Sequence, residues 1–120
     1  MDANQLKNRT KVFSIAILEL VEKLPNTISG RAVANQIVRS GISVGANYRA
    51  VCRARSDREF IAKMSIVIEE SDETMFWLEI VYEKQWIEKS EVDIIWKEGN
   101  ELTAIFVSSM KTIKDRINNS

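Results

Sequence analysis

Histidine is absent from this chain of 120 residues, and cysteine and proline each occur once. Without histidine, the chain lacks the commonest general base, the commonest zinc ligand and the base of every Ser-His or Cys-His nucleophile. Carboxylates and lysines remain available for catalysis, but no motif among them indicates it. The sequence therefore predicts a protein that is not an enzyme, with no bound metal and no cofactor.

Glycine is also scarce, with four residues in the chain, so few positions can break a helix. No window approaches the roughly 18 uncharged apolar residues that a membrane span requires. The single thiol, Cys52, has no internal partner for a disulfide, and the chain shows no secretory signal. We therefore expect a cytoplasmic protein that has no membrane partner.

Apolar residues recur at three- and four-residue spacings along the chain, and no segment of any length alternates as a strand does. Pro25 ends the first periodic segment, and a turn through Ser29 and Gly30 follows it. Ser56 and Ser90 each precede an acid by three residues, a pattern typical of a helix N-terminus. The predicted helices of this single domain cover about residues 4–24, 31–53, 57–86 and 91–117. Short connections between long helices predict an all-α, antiparallel, up-down-up-down four-helix bundle.

The third predicted helix is apolar on more than one side. Phe76 and Trp77 lie outside the stripe that contains Met64 and Leu78. Because a helix of a monomeric bundle needs one apolar stripe, the surplus favours a second buried surface in a homo-oligomer. The alternative is a wide core stripe with scattered surface aromatics.

Two glycines, Gly41 and Gly45, interrupt the second helix and make one side of it nearly smooth. Each costs about 1 kcal/mol of helix stability relative to alanine. Close approach of a neighbouring helix would offset that cost, so we predict a helix-packing role for both residues. The alternative is a kink or break that divides the helix. The spacing matches neither a P-loop nor a dinucleotide-binding fingerprint.

Charge is divided unevenly although the formal net charge is zero. Residues 31–58 carry six arginines and one acid, whereas residues 59–101 carry twelve acids and four lysines. Helical winding places Arg31, Arg39, Arg49 and Arg53 within an arc of about 80°. Such a stripe matches the phosphates of RNA or DNA. The candidate nucleic-acid-binding residues are therefore Arg31, Arg39, Arg49, Arg53 and Arg55.

Winding the third helix gathers acids into a band of similar width. This band and the arginine stripe could face each other within or between subunits, where ion pairs would set the register. The candidate oligomer or salt-bridge face is Glu69, Asp72, Glu73, Glu79, Glu83 and Trp77. A metal site at Glu69-Glu70 with Asp72-Glu73 is a weaker interpretation, because the helical Glu-x-x-His pattern of di-metal bundles is missing.

Several segments of the sequence resemble those of a known protein family. Residues 36–47, QIVRSGISVGAN, together with Glu59-Phe60 and the acidic Glu69-Glu70, resemble the four-helix-bundle family of 23S rRNA-intervening sequence proteins. The resemblance spans about residues 13–117 and implies a ring-like homopentamer. It also implies kinship with the accessory proteins of diversity-generating retroelements, which bind nucleic acid and work beside a reverse transcriptase. By position, the arginine-bearing helix of that ring would supply Arg39, Arg49 and Arg53 here.

Two functions are favoured from the sequence, ahead of an enzyme that would use the Glu69–Glu73 carboxylates and a divalent metal. One is a non-enzymatic oligomeric bundle that binds RNA or DNA through the arginines of the second helix. The other is a protein-interaction or scaffolding module whose arginines pair with the third helix of a neighbouring subunit. A reverse transcriptase or another protein is a candidate partner under either hypothesis.

Overall fold

All four predicted helices are present in the computed structural model, which describes residues 1–119. They are α1 (Ala3–Val21), α2 (Ile28–Val51), α3 (Asp57–Lys84) and α4 (Lys89–Asn118). Each helix packs against the next one in sequence, and α4 returns beside α1. The predicted all-α antiparallel bundle is therefore confirmed. It is 53 Å long and 23 by 22 Å across, and none of its described helices is long and apolar enough to cross a bilayer.

The start of α2 lies three residues before the predicted start, because Thr27 caps it. The Thr27 hydroxyl accepts a hydrogen bond from the Gly30 amide at 3.1 Å, so Ser29 and Gly30 belong to the first helical turn. Ser56 caps α3 in the same way, 3.1 Å from the Glu59 amide. These hydroxyls satisfy amides that have no partner inside the helix.

The other boundaries lie within three residues of the predicted ones, and α2 ends at Val51, two residues before its predicted end. Helix α1 ends at Val21, three residues before the predicted end, and α3 ends at Lys84 because Gln85 adopts a left-handed conformation with φ of 56°. Ser90 was expected to cap α4, but it lies inside that helix. Helix α4 follows Glu88, which makes no side-chain capping bond.

The core runs along the bundle axis and is built from one apolar stripe of each helix. On α3, Thr74 and Val81 are buried, whereas Tyr82, which continues the apolar spacing, is 36% exposed. The Thr74 hydroxyl lies 2.9 Å from that of Ser40 across the α2–α3 contact. Every buried side-chain polar atom of residues 1–119 has a hydrogen-bond partner, so the core tolerates these hydroxyls.

Glycines allow α2 to pack closely on α1. A Cβ at Gly41 would lie 2.7 Å from Ile17 Cγ2, and one at Gly45 would lie 3.2 Å from the Thr10 carbonyl oxygen. The Ser14 hydroxyl donates to the Gly41 carbonyl at 3.0 Å across the same contact. Helix α2 is continuous from Ile28 to Val51, so the glycines do not divide it.

Candidate functional site

Arg39, on the outward side of α2, is held by acids of α3 in the same chain. Its guanidinium contacts Glu70 at 3.2 Å and also forms an ion pair with Glu73. The hydrogen bond to Glu73 raises the pKa of Arg39, and the same contact lowers the pKa of Glu73. Part of the arginine stripe is therefore neutralised within the subunit.

Arg31 lies in the first turns of α2, and its side chain contacts the loop that precedes the helix. Its Nη1 donates to Asn26 Oδ1 at 2.8 Å. Arg31 and Arg49 are separated by most of the length of α2, about 27 Å along the helix axis. Arg31 therefore lies well apart from the arginines near the C-terminal end of α2.

Around the α2–α3 turn, arginine side chains project into solvent. Arg49, Arg53 and Arg58 are exposed, and in the described part of the chain no carboxylate lies within 4.0 Å of them. Arg55 is also exposed. It helps to lower the pKa of Glu59, although the hydrogen bond from Lys63 is the larger cause. We call this surface the basic end; it consists of Arg49, Arg53, Arg55 and Arg58.

Arg58 was not among the candidate residues, because it follows the predicted cap of the third helix instead of lying on the second. Arg58 could have been predicted from the sequence, because it belongs to the same arginine-rich segment, residues 31–58. In the structure, Arg58 lines a shallow cleft together with Lys114 of α4. The topology thus adds a lysine from the end of the chain to the basic end.

Tyr48 precedes Arg49 but does not present its ring to solvent. Its ring is buried and stacks on Phe106 of α4, with the centroids 5.8 Å apart. Burial raises the pKa of the Tyr48 hydroxyl. The tyrosine therefore belongs to the core and is no platform for a nucleobase.

The acidic band of α3 divides into two parts. Glu73 faces α2, where it binds Arg39 and accepts a hydrogen bond from the indole of the half-buried Trp77 at 3.2 Å. The other part faces solvent or α4. Glu79 accepts a hydrogen bond from the Trp96 indole at 3.3 Å. The remaining acids of the band, which have no cation within 4.0 Å among residues 1–119, are Glu69, Asp72 and Glu83.

The structure also forms ion pairs that no sequence pattern had indicated. Arg9 of α1 contacts both Glu98 and Glu101 of α4, and Arg116 contacts Asp57 at 2.7 Å. Their partners are far apart in sequence, so helical spacing gives no sign of them. No group of three or more His, Cys, Asp or Glu residues suited to a metal occurs in the described region.

Comparisons with known proteins agree on one family. The family model for the 23S rRNA-intervening sequence protein matches residues 3–108. Four solved chains match, and one is the 1.70 Å crystal structure of a protein of unknown function from the S23 ribosomal protein family of Bacteroides thetaiotaomicron VPI-5482. It is 31% identical, with a TM-score of 0.81, and the match covers 88% of this chain and 98% of that one. The comparison with curated proteins gives no match.

Proposed function

Because this chain belongs to the 23S rRNA-intervening sequence protein family, we propose that it is a non-enzymatic, oligomeric bundle that binds RNA or DNA at its basic end. The observation that supports this proposal is the exposure of Arg49, Arg53 and Arg58, for which residues 1–119 supply no carboxylate partner. An arginine that has no internal ion pair can bind a phosphate without first breaking one.

The arrangement of the basic end suits a phosphate backbone. Arg49 lies in the last turn of α2, and Arg53 follows two residues after the end of that helix at Val51. Arg55 and Arg58 extend the positive surface across the turn into α3. Since the net charge of the chain is zero, attraction for a polyanion depends on this local surface and is screened by salt.

Assembly into a ring would repeat the basic end in every subunit and so increase its avidity. The homopentamer is part of the proposal, and so is kinship with the retroelement accessory proteins, with a reverse transcriptase as a candidate partner. Support for assembly comes from exposed apolar side chains of α1 and α4: Val12 is 55% exposed, Ile15 45% and Ile94 71%. These side chains would leave water in an oligomer.

The test is a salt series with a fluorescent single-stranded RNA of about 20 nucleotides. Phosphate binding requires the logarithm of the association constant to fall linearly with the logarithm of salt concentration, and Arg49→Glu/Arg53→Glu should abolish binding. Arg31→Glu/Lys84→Glu makes the same change of charge at the other end of the bundle and should leave most of the affinity. No binding at low salt, or a flat salt response, would disprove the proposal.

A second candidate function is the protein-interaction or scaffolding module. It is favoured by the exposed carboxylates of Glu69, Asp72 and Glu83, which have no cation partner in the described chain and would suit the arginines of a neighbouring copy. Under this alternative, Arg49→Glu/Arg53→Glu shifts the protein to smaller species in light scattering. A variant that stays fully assembled excludes the alternative.

A further inference from the structure

A groove with aromatic walls runs along the contact between α3 and α4, away from the basic end. It consists of two adjoining cavities of about 430 and 360 Å³ that share Phe76, Glu79 and Trp96. We call it the α3–α4 groove, and the residues that carry the argument are Asp72, Phe76, Glu79, Tyr82, Glu83 and Trp96. Aromatic side chains and carboxylates thus line one continuous depression.

The carboxylates of this groove carry more negative charge than the chain itself neutralises. Asp93, at its edge, is paired with Lys97 at 2.9 Å. Asp72 and Glu83 have no cation within 4.0 Å in the described chain, and the only polar partner of Glu79 there is the indole N–H of Trp96. The groove therefore keeps three carboxylates for an external cation.

The aromatic side chains of the groove already hold one cation of this chain. The Lys89 ammonium lies 5.0 Å from the centroid of the Tyr82 ring, within the range of a cation–π interaction. Phe76 and Trp96 also line the groove, and Phe76 is half exposed. Aromatic faces beside unpaired carboxylates are the combination that recognises guanidinium and ammonium groups.

We propose that the α3–α4 groove binds an extended, arginine-bearing segment of a partner protein. Asp72 and Glu83 are about 16 Å apart along α3, the length of about five residues of extended chain. Glu79 and Glu83 are about 6 Å apart along α3, so two arginines at alternate positions of an extended chain, about 7 Å apart, would reach both carboxylates. Arginine suits the site better than lysine, because its planar guanidinium stacks on a ring while it pairs with a carboxylate at two points. This inference does not depend on nucleic-acid binding.

The test uses the full chain and a nine-residue peptide in which arginine and glycine alternate. Calorimetry should detect binding, and tryptophan fluorescence should change because Trp96 lies in the groove. Glu79→Gln/Glu83→Gln should weaken binding at least about tenfold. The matched control, Glu19→Gln/Glu22→Gln, removes the exposed carboxylates of Glu19 in α1 and of its C-cap residue Glu22, and it should leave the affinity unchanged. The corresponding lysine peptide should bind more weakly than the arginine peptide.

Several results would overturn this inference. One is no binding at about 1 mM peptide, and another is an equal loss of affinity in the control variant. Equal affinity for the arginine and lysine peptides would show that binding is general electrostatic attraction, without recognition of the guanidinium group. If the peptide instead breaks an oligomer into smaller species at the concentration at which it binds, a second copy of this chain occupies the groove and the proposal is wrong.

Discussion

The Arg9 guanidinium joins α1 to α4 through a two-point hydrogen bond with Glu98. Arg9 Nε lies 2.9 Å from Glu98 Oε2, and Nη2 lies 2.6 Å from Oε1. Glu101 adds a third contact at 3.1 Å, and these hydrogen bonds raise the pKa of Arg9. Because the Arg9 side chain is only 22% exposed, water screens the pair less than it screens a surface ion pair.

Replacement of Arg9 by glutamine should therefore destabilise the bundle by about 1 kcal/mol, measured by urea unfolding. The loss arises because Glu98 stays partly buried without its partner. Lys97→Gln breaks an exposed pair with Asp93 and serves as the control, with an expected change of less than about 0.5 kcal/mol. Equal effects of the two substitutions would show that the Arg9 pair is no stronger than a surface pair.

Gly41→Ala should lower stability by about 1 kcal/mol, although alanine is the better helix former. The added methyl group would lie 2.7 Å from Ile17 Cγ2, so α1 and α2 must separate. In an Ile17→Ala background the same substitution should cost less, because the colliding atoms are gone. A double-mutant cycle measures this coupling, and additive effects would contradict the explanation.

Thr74→Val should cost about 1 kcal/mol, because it removes the hydroxyl that lies 2.9 Å from Ser40 Oγ in the core. Ser40 keeps a hydrogen bond to the Gln36 carbonyl, so the loss stays moderate. Thr112→Val makes the same chemical change at an exposed position of α4 and should alter the unfolding midpoint little. A larger effect at Thr112 would be inconsistent with this reasoning.

Stability should fall as the pH is lowered through the acid range. Arg39 holds the pKa of Glu73 below its ordinary value of 4.5, and Arg116 holds that of Asp57 below 3.8. The unfolded chain therefore binds more protons between the folded and the unfolded pKa values. The stabilisation is complete above the unfolded values and is lost as the pH falls through the folded ones.

The check is to measure the urea midpoint at several pH values between about 3 and 6, where paired carboxylates take up protons. Arg39→Gln should make the decrease below pH 4.5 shallower, because it removes the hydrogen bond that contributes most to the lowered pKa of Glu73. A variant curve with the same slope as the original protein would show that this pair does not control the acid response.

Local sequence signals predicted much of the fold, because periodicity and capping act within one or two turns. The stripe through Met64 and Leu78 is buried, and Ser56 caps α3. Helix boundaries were predicted less accurately where several residues could act as the cap. Thr27 caps α2, so this helix starts before the predicted turn at Ser29 and Gly30. Ser90 does not cap α4. The periodic pattern was strong enough to predict four helices in antiparallel order.

The sequence predicted which arginines could form the candidate site, but not which of them are paired with acids and which are exposed. The sequence placed Arg39, Arg49 and Arg53 on one face of a helix, and helical winding alone could not tell them apart. Tertiary packing brings Glu70 and Glu73 against Arg39 and leaves Arg49 and Arg53 in solvent. The difference depends on which residues of α3 lie opposite each turn of α2.

By itself, the sequence determined four amphipathic helices and their order, because both follow from spacings of three and four residues and from short connections. Only the tertiary structure decided which charges neutralise one another. Arg9 and Glu98 are 89 residues apart and meet only because α4 returns beside α1. Pairing at such a separation depends on the relative position of two packed helices, which no local pattern encodes.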